Sequence, residues 1–225
     1  MENLLFNFNF KYIYMKTIRT IQLAAFTLLF LGFTSCDNDD NDSNSLEVES
    51  NTITNLQATQ SADYSTNPPS ITGDYIKFSF TTGATTTGDE WDIAFRGSTI
   101  IVNGGEATTE DQPERTGEAA AYIASGTLAS VVEVNSELFV TDSATDGLAI
   151  PTGSDNGWYN YNATTHVISP IAGKVIVVKT VSGTYAKFEI TSYYQDGEPN
   201  EELSNSQYYT FNYVYNPNEG ETSFE

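Results

Sequence analysis

Two side chains, His166 and Cys36, occur once each in this sequence and limit the chemistry that the chain can perform. A single cysteine excludes an intramolecular disulfide and a zinc site built from cysteines. A single histidine could be a metal ligand, a general base or an unreactive surface residue. A serine hydrolase would need a nucleophile motif of the Gly-x-Ser-x-Gly type, which the sequence lacks. We therefore expect a protein that is not an enzyme.

Residues 1–35 have the pattern of an export leader. Lys16 and Arg19 precede an apolar run over residues 21–33, which is too short to be read as a transmembrane helix. This arrangement predicts a signal peptide. Met15 begins a signal of ordinary length, so it is a candidate for the true start of the protein.

Cys36 ends the leader and resembles the lipid-modified cysteine of a bacterial lipobox, because small residues precede it in Phe33-Thr34-Ser35-Cys36. A buried thiol is the alternative, but the acidic run 37–42 that follows is poorly suited to a core. That run also resembles the surface-export signal of Bacteroidetes lipoproteins, and it lacks the glycine and distal glutamate of an EF-hand calcium loop. We expect lipidation at Cys36 and stable attachment to the membrane through the lipid alone.

Charge narrows the class of partner. Nine Lys and Arg stand against 30 Asp and Glu, giving a net charge of −21, and removal of residues 1–35 makes it −23. Nucleic-acid binding requires a basic face, so this composition excludes it. With 39% hydrophobic and 13% aromatic residues, the chain can still bury a core.

Alternation with a period of two predicts strands through most of the remaining sequence. Residues 75–80, 91–96 and 209–215 alternate large apolar or aromatic side chains with smaller or polar ones. Residues 175–179 and 185–194 flank Ser182-Gly183, which indicates a β-hairpin. The only Ala-rich stretch, 117–123, is too short to form a helix alone. The expected fold is therefore all-β with little helix, in which antiparallel sheets pack face to face.

We place four regions along the chain. The leader is 1–35, a lipidated acidic linker follows over 36–55, the β domain spans 56–217, and residues 218–225 form a tail. The linker is assigned because its sequence is polar and aperiodic.

The β domain resembles the HmuY-like family of Bacteroidetes surface lipoproteins. The order and spacing of several blocks carry this resemblance: residues 91–96 with Asn103-Gly104-Gly105, residues 158–161 leading to 165–170, residues 183–190 with Tyr193-Tyr194, and residues 208–214. The resemblance implies an all-β, surface-exposed lipoprotein of the outer membrane. The best-known members bind haem and pass it to an outer-membrane receptor, which for this chain implies a TonB-dependent one.

The resemblance also implies two axial ligands to the haem iron, usually His or Met, and here the sequence departs from the family. His166 is the only His, and the two Met residues, at positions 1 and 15, precede the β domain. His166 could be a single axial ligand, a surface histidine without this role, or a ligand shared between two chains. Tyr159 and Tyr161 are candidate haem-pocket residues because a phenol oxygen can bind iron.

We expect a surface-anchored lipoprotein that binds haem or a related tetrapyrrole for delivery to a receptor. The acidic surface disfavours an anionic ligand, so the alternative is a protein on the same scaffold that acts as an adhesin or a transporter accessory without binding haem. The sequence leaves the oligomeric state open.

Overall fold

The computed structural model describes residues 45–225, which fold almost entirely into strands. One turn of 3-10 helix, Ser136–Leu138, interrupts them. In this part of the chain no helix is long and apolar enough to cross a membrane. The strands are β1 Glu49–Gln57, β2 Ser61–Asp63, β3 Ser70–Thr72, β4 Ile76–Ser79, β5 Ala84–Thr86, β6 Ile93–Arg96, β7 Thr99–Val102, β8 Ala120–Ser125, β9 Tyr159–Tyr161, β10 Ile168–Pro170, β11 Lys174–Lys179, β12 Tyr185–Tyr194 and β13 Ser206–Asn216.

Two antiparallel sheets form the body of the domain. The larger has the order β1-β13-β12-β11-β8, and the smaller has the order β5-β4-β6-β7. Hairpins β2–β3 and β9–β10 are separate two-stranded units. The expected β11–β12 hairpin is confirmed, and Gly183 supplies the positive φ of 80° in its turn.

The two large sheets pack face to face through an aromatic core. Phe211 of β13 contacts Phe78 of β4 at 5.5 Å and Phe95 of β6 at 5.7 Å between ring centroids. Phe80, just after β4, contacts Phe188 of β12 at 5.8 Å. Burial of these large rings supplies most of the driving force for closing the two sheets. The all-β, antiparallel, face-to-face fold expected from the sequence is therefore confirmed.

A second apolar layer covers the other face of the larger sheet. Val175 and Val177 of β11 are fully buried there, beneath the irregular segment that follows β8 and beneath Phe224. Lys187 of β12 lies in the same layer and donates hydrogen bonds of 2.7 Å to the carbonyls of Leu128 and Val131. The lysine thus fastens the covering segment to the sheet.

Ordered packing extends beyond both boundaries expected for the β domain. Strand β1 begins at Glu49, inside the expected linker 36–55; residues 36–44 lie outside the described part of the chain. The sequence of this strand is mostly polar because the strand lies at the edge of the sheet and exposes most of its side chains. The tail 218–225 is also packed, since Phe224 is buried and its backbone N–H donates to Val132 at 2.9 Å.

The Ala-rich residues 117–123 contribute to strand β8, in agreement with the expected scarcity of helix. One local expectation fails. Trp91 does not share a face with Ile93 and Phe95, because it packs with Ala94 and Ile101 on the opposite side of the smaller sheet. Strand β6 is buried on both faces, so the alternation in its sequence does not mark a solvent-exposed side.

Candidate functional site

His166 lies in the loop of the β9–β10 hairpin. Its backbone N–H donates to the carbonyl of Asn162 at 2.7 Å, and the N–H of Asn162 donates to Val167 at 2.8 Å. The side-chain oxygen of Asn162 accepts from the N–H groups of Thr164 and Thr165. These bonds hold His166 at a φ of 60°, a left-handed conformation that few residues other than glycine adopt. The loop therefore fixes the position of the imidazole.

Tyr161 and His166 form an exposed pair at this loop. The Tyr161 hydroxyl and His166 Nδ1 are 2.6 Å apart, and Tyr161 is 41% exposed. Within residues 45–225 the imidazole makes only this hydrogen bond, which leaves Nε2 facing no protein partner. If Nδ1–H donates to the phenol oxygen, Nε2 carries the lone pair that a metal ion requires. The geometry is suited to ligation by one nitrogen with a phenol behind it.

Tyr159 is not part of this pair. It is 8% exposed, and its hydroxyl accepts a hydrogen bond of 3.0 Å from the Gly153 N–H and one of 3.5 Å from Ser98. Its ring packs edge-on against Trp158 at 4.9 Å. Of the three candidate residues, the structure brings together Tyr161 and His166, whereas Tyr159 is buried and contacts other residues.

The tyrosines that underlie the hairpin are neutral phenols. Burial raises the pKa of Tyr193, Tyr194 and Tyr209, since removal from water disfavours the phenolate. The Tyr209 hydroxyl donates to the carbonyl of Gly97 at 2.8 Å, and the Tyr194 hydroxyl accepts from Ile168 N–H at 2.8 Å. These groups support the hairpin and do not offer an anionic ligand.

The β2–β3 hairpin emerges beside the same turn as the β9–β10 hairpin. Ala58, just before β2, accepts from Gly97 N–H at 2.7 Å, and Trp158, just before β9, donates to the carbonyl of Ser98 at 3.1 Å. Gly97 and Ser98 form the β6–β7 turn. Tyr64 in the β2–β3 loop is 80% exposed. The sequence analysis missed this residue, whose only signal is a tyrosine within a stretch rich in Ser, Asn and Pro.

Three cavities of about 380 to 480 Å³ lie elsewhere, around the β11–β12 turn. None of these three is lined by His166, Tyr159 or Tyr161. The length of strand β12 separates these cavities from the β9–β10 hairpin. Tyr185 at the start of the strand lines one cavity, whereas the Tyr194 hydroxyl at its end accepts a hydrogen bond from the hairpin. Nine steps at about 3.3 Å per residue place these ends roughly 30 Å apart.

The described residues contain no group of three His, Cys, Asp or Glu side chains positioned to hold a metal ion. The best-buried acid outside an ion pair is Asp92, which accepts hydrogen bonds from Phe80 N–H at 2.7 Å and Val181 N–H at 2.9 Å. Burial raises its pKa to about 6. Asp92 therefore joins the two sheets and does not face a ligand.

The fold and the exposed pair define an all-β protein whose candidate ligand chemistry sits on a hairpin outside its two packed sheets. Comparison with known proteins is consistent with a binding role. The family model described as HmuY protein matches residues 71–213. Because this match spans more than half of the sequence, the chain belongs to the HmuY family, a lipoprotein family of the haem-binding type.

Three similar solved structures have low sequence identity to this chain. A candidate lipoprotein of Bacteroides fragilis is 16% identical, with 79% of this chain and 93% of that chain covered and a TM-score of 0.45. An apo HmuY analog of Tannerella forsythia is 17% identical, with 80% and 100% covered and a TM-score of 0.43. A candidate HmuY-like heme-binding protein of Bacteroides vulgatus is 16% identical, with 79% and 96% covered and a TM-score of 0.44. No curated protein is significantly similar in sequence.

Proposed function

We propose that this protein binds haem or a related tetrapyrrole on the cell surface, with His166 Nε2 as an axial ligand to the iron. The observation that carries the proposal is the exposed Tyr161–His166 pair, in which one ring nitrogen is held by a phenol and the other faces no protein group. Family membership supports the same ligand. When bound, haem would supply the iron, and the protein would supply the nitrogen and its orientation.

Tyr161 positions the ligand in this proposal. By accepting a hydrogen bond from Nδ1–H, its hydroxyl selects the tautomer that leaves Nε2 free, as carboxylates and carbonyls do for metal-bound histidines. Residues 45–225 contain no second histidine and no methionine. If haem binds, a second ligand to the iron would therefore come from water, from an exposed phenol or from His166 of a second copy of the chain.

The proposal includes a lipid anchor at Cys36 and transfer of the ligand to a TonB-dependent outer-membrane receptor. Cys36 lies outside the described residues, so its lipobox-like context is the support for outer-membrane attachment. A tethered binder with an exposed ligand pair suits transfer, since a receptor can reach the ligand without opening the body of the protein.

Titration of the purified protein with hemin tests the ligand. We expect a shifted Soret band in the wild type and in Thr165→Ala, a matched control that keeps the loop hydrogen bond from its backbone N–H. We expect His166→Ala to lose the shift or to bind at least about a hundredfold more weakly, because the only nitrogen ligand is removed. Absence of a shift in the wild type, in both the ferric and the ferrous state, would refute haem binding.

A second candidate is an adhesin or transporter accessory that does not bind haem. It is favoured by the state of three basic residues of the β domain, since haem propionates need free cationic groups. Arg96 and Arg115 are paired with Asp111 and Asp142, and Lys187 is occupied by backbone carbonyls. Failure of hemin binding, together with an intact fold by circular dichroism, would select this candidate.

A further inference from the structure

A cavity of about 480 Å³ opens on the face of the larger sheet that lies away from the smaller sheet. It is next to the 3-10 turn Ser136–Leu138, in the segment that follows β8 and covers this face. Cross-strand pairing places Ala120 of β8, Lys179 of β11 and Tyr185 of β12 side by side in its floor. Phe139 stands over Tyr185, with ring planes 13° apart and centroids separated by 5.8 Å. The cavity is therefore built on rigid strands, with an aromatic wall.

Small residues keep this space open. Gly105, Gly117 and Ala120 line it without filling it. Gly105 has a φ of 78°, and a Cβ there would come within 2.0 Å of the Asp142 carbonyl. The backbone thus requires glycine at the rim of the cavity.

The polar groups of the cavity are free to bind a ligand. Lys179 and Glu118 both line it, and within residues 45–225 neither side chain takes part in an ion pair or a hydrogen bond. Ser136 and Thr141 add hydroxyl groups. The lysine donates hydrogen bonds, the carboxylate accepts them, and the two hydroxyls can do both. Together these groups carry no net charge, and they lie beside an aromatic wall.

A neighbouring cavity of about 380 Å³ extends the same surface. It shares Lys179 and Glu118 with the first and is also lined by Thr180, Ser182 and Glu219. The two charged side chains therefore stand between two adjoining spaces, so a ligand of two linked units could contact both.

We propose that these adjoining cavities bind a neutral saccharide. A sugar presents hydroxyls that donate and accept together, which match Lys179 and Glu118, and a C–H face that packs on Tyr185 and Phe139. An anionic ligand would be repelled by Glu118 and Glu219, and a purely apolar ligand would leave Lys179 unsolvated. The site is independent of haem binding, because it lies at the opposite end of β12.

Amide chemical-shift titration of the purified protein with maltose, cellobiose and lactose tests the proposal. We expect at least one disaccharide to shift residues around the two cavities and to leave the β9–β10 hairpin unchanged. Lys179→Met should weaken this response about tenfold, because it removes the donor and keeps the aliphatic stem. Lys174→Met, at the other end of the same strand, is the matched control. Ala120→Leu should abolish the response by filling the floor.

Three results would overturn the proposal. One is the absence of a shift with all three disaccharides; another is an equal shift with glycerol, which would indicate nonspecific binding of a polyol. The third is binding of glucuronate without binding of the neutral sugars, which would show an anion site. A melting temperature unchanged in Lys179→Met would confirm that loss of response reflects the ligand and not unfolding.

Discussion

The two ends of strand β12 carry chemistry in different ways. At Tyr194 the strand supports a separate hairpin, and the reactive imidazole of His166 sits in a loop fixed by its own hydrogen bonds. At Tyr185 the strand itself forms part of the floor of a cavity, and the polar groups of that cavity come from strand β11 at Lys179 and from the connecting segments at Glu118, Ser136 and Thr141. The hairpin end can therefore change its chemistry within one loop, whereas the cavity end combines the sheet with segments that are distant in sequence.

The largest expected effect is at the buried ion pair near the cavity end. Arg115→Met leaves the Asp142 carboxylate, which is fully buried and whose pKa burial already raises, without its counter-charge. We expect a loss of about 3–5 kcal/mol in the free energy of unfolding. Lys77→Met, which breaks a 3.8 Å pair with the exposed Asp89, should cost at most about 1 kcal/mol. Urea unfolding measures both; equal losses would contradict the distinction.

The next effect is a pH dependence from Asp92, which ties the β11–β12 turn to the smaller sheet. Its pKa is raised from 3.8 to about 6 by burial, with a smaller contribution from Glu90, so the folded protein holds the proton more tightly than the unfolded chain. The stability from this group is present in full below pH 3.8 and is lost as the pH rises through about 6. Two pKa units correspond to about 3 kcal/mol.

Urea unfolding of the wild type and of Asp92→Asn, at several pH values from acidic to neutral, measures the contribution of Asp92 to the free energy of unfolding. The variant cannot titrate at this position, so the difference in unfolding free energy between the two proteins should change by about that amount across the range. A difference that stays constant with pH would show that Asp92 does not titrate as described.

The smallest effect concerns the hairpin end. Tyr161→Phe removes the hydroxyl that bonds His166 Nδ1 and keeps the ring. We expect hemin affinity to fall about tenfold, as for other partners of metal-bound histidines, with little change in stability because the group is exposed. Tyr64→Phe in the neighbouring hairpin is the comparison. An unchanged affinity in Tyr161→Phe would remove its proposed positioning role.

Alternating sequence was enough to predict the strands that have one buried face. The stripe Tyr209, Phe211, Tyr213 and Tyr215 points into the core along β13 as expected. Alternation failed where a strand is covered on both sides, as in β6, and where an edge strand exposes most of its side chains, as in β1. In both cases burial depends on what the rest of the chain places over the strand, which local sequence does not record.

The candidate residues were recoverable from the sequence only one at a time. His166 and Tyr161 stand out by type, but their contact depends on the loop that holds His166 at positive φ. Tyr159, equally prominent in sequence, is buried. The cavity beside Tyr185 gave no signal, because it is formed by three strands and a distant covering segment.

Strand β1 would have a mechanical consequence if the domain were anchored through Cys36 as proposed. Within residues 45–225 it pairs with β13 alone, so a pull on the preceding chain would be borne first by that one ladder of hydrogen bonds. Detachment of β1 would expose the backbone hydrogen-bonding groups along one edge of β13, while the remaining strands of both sheets stay paired. The edge strand would act as the weakest link under tension, yielding before the core that keeps the two ends of β12 apart.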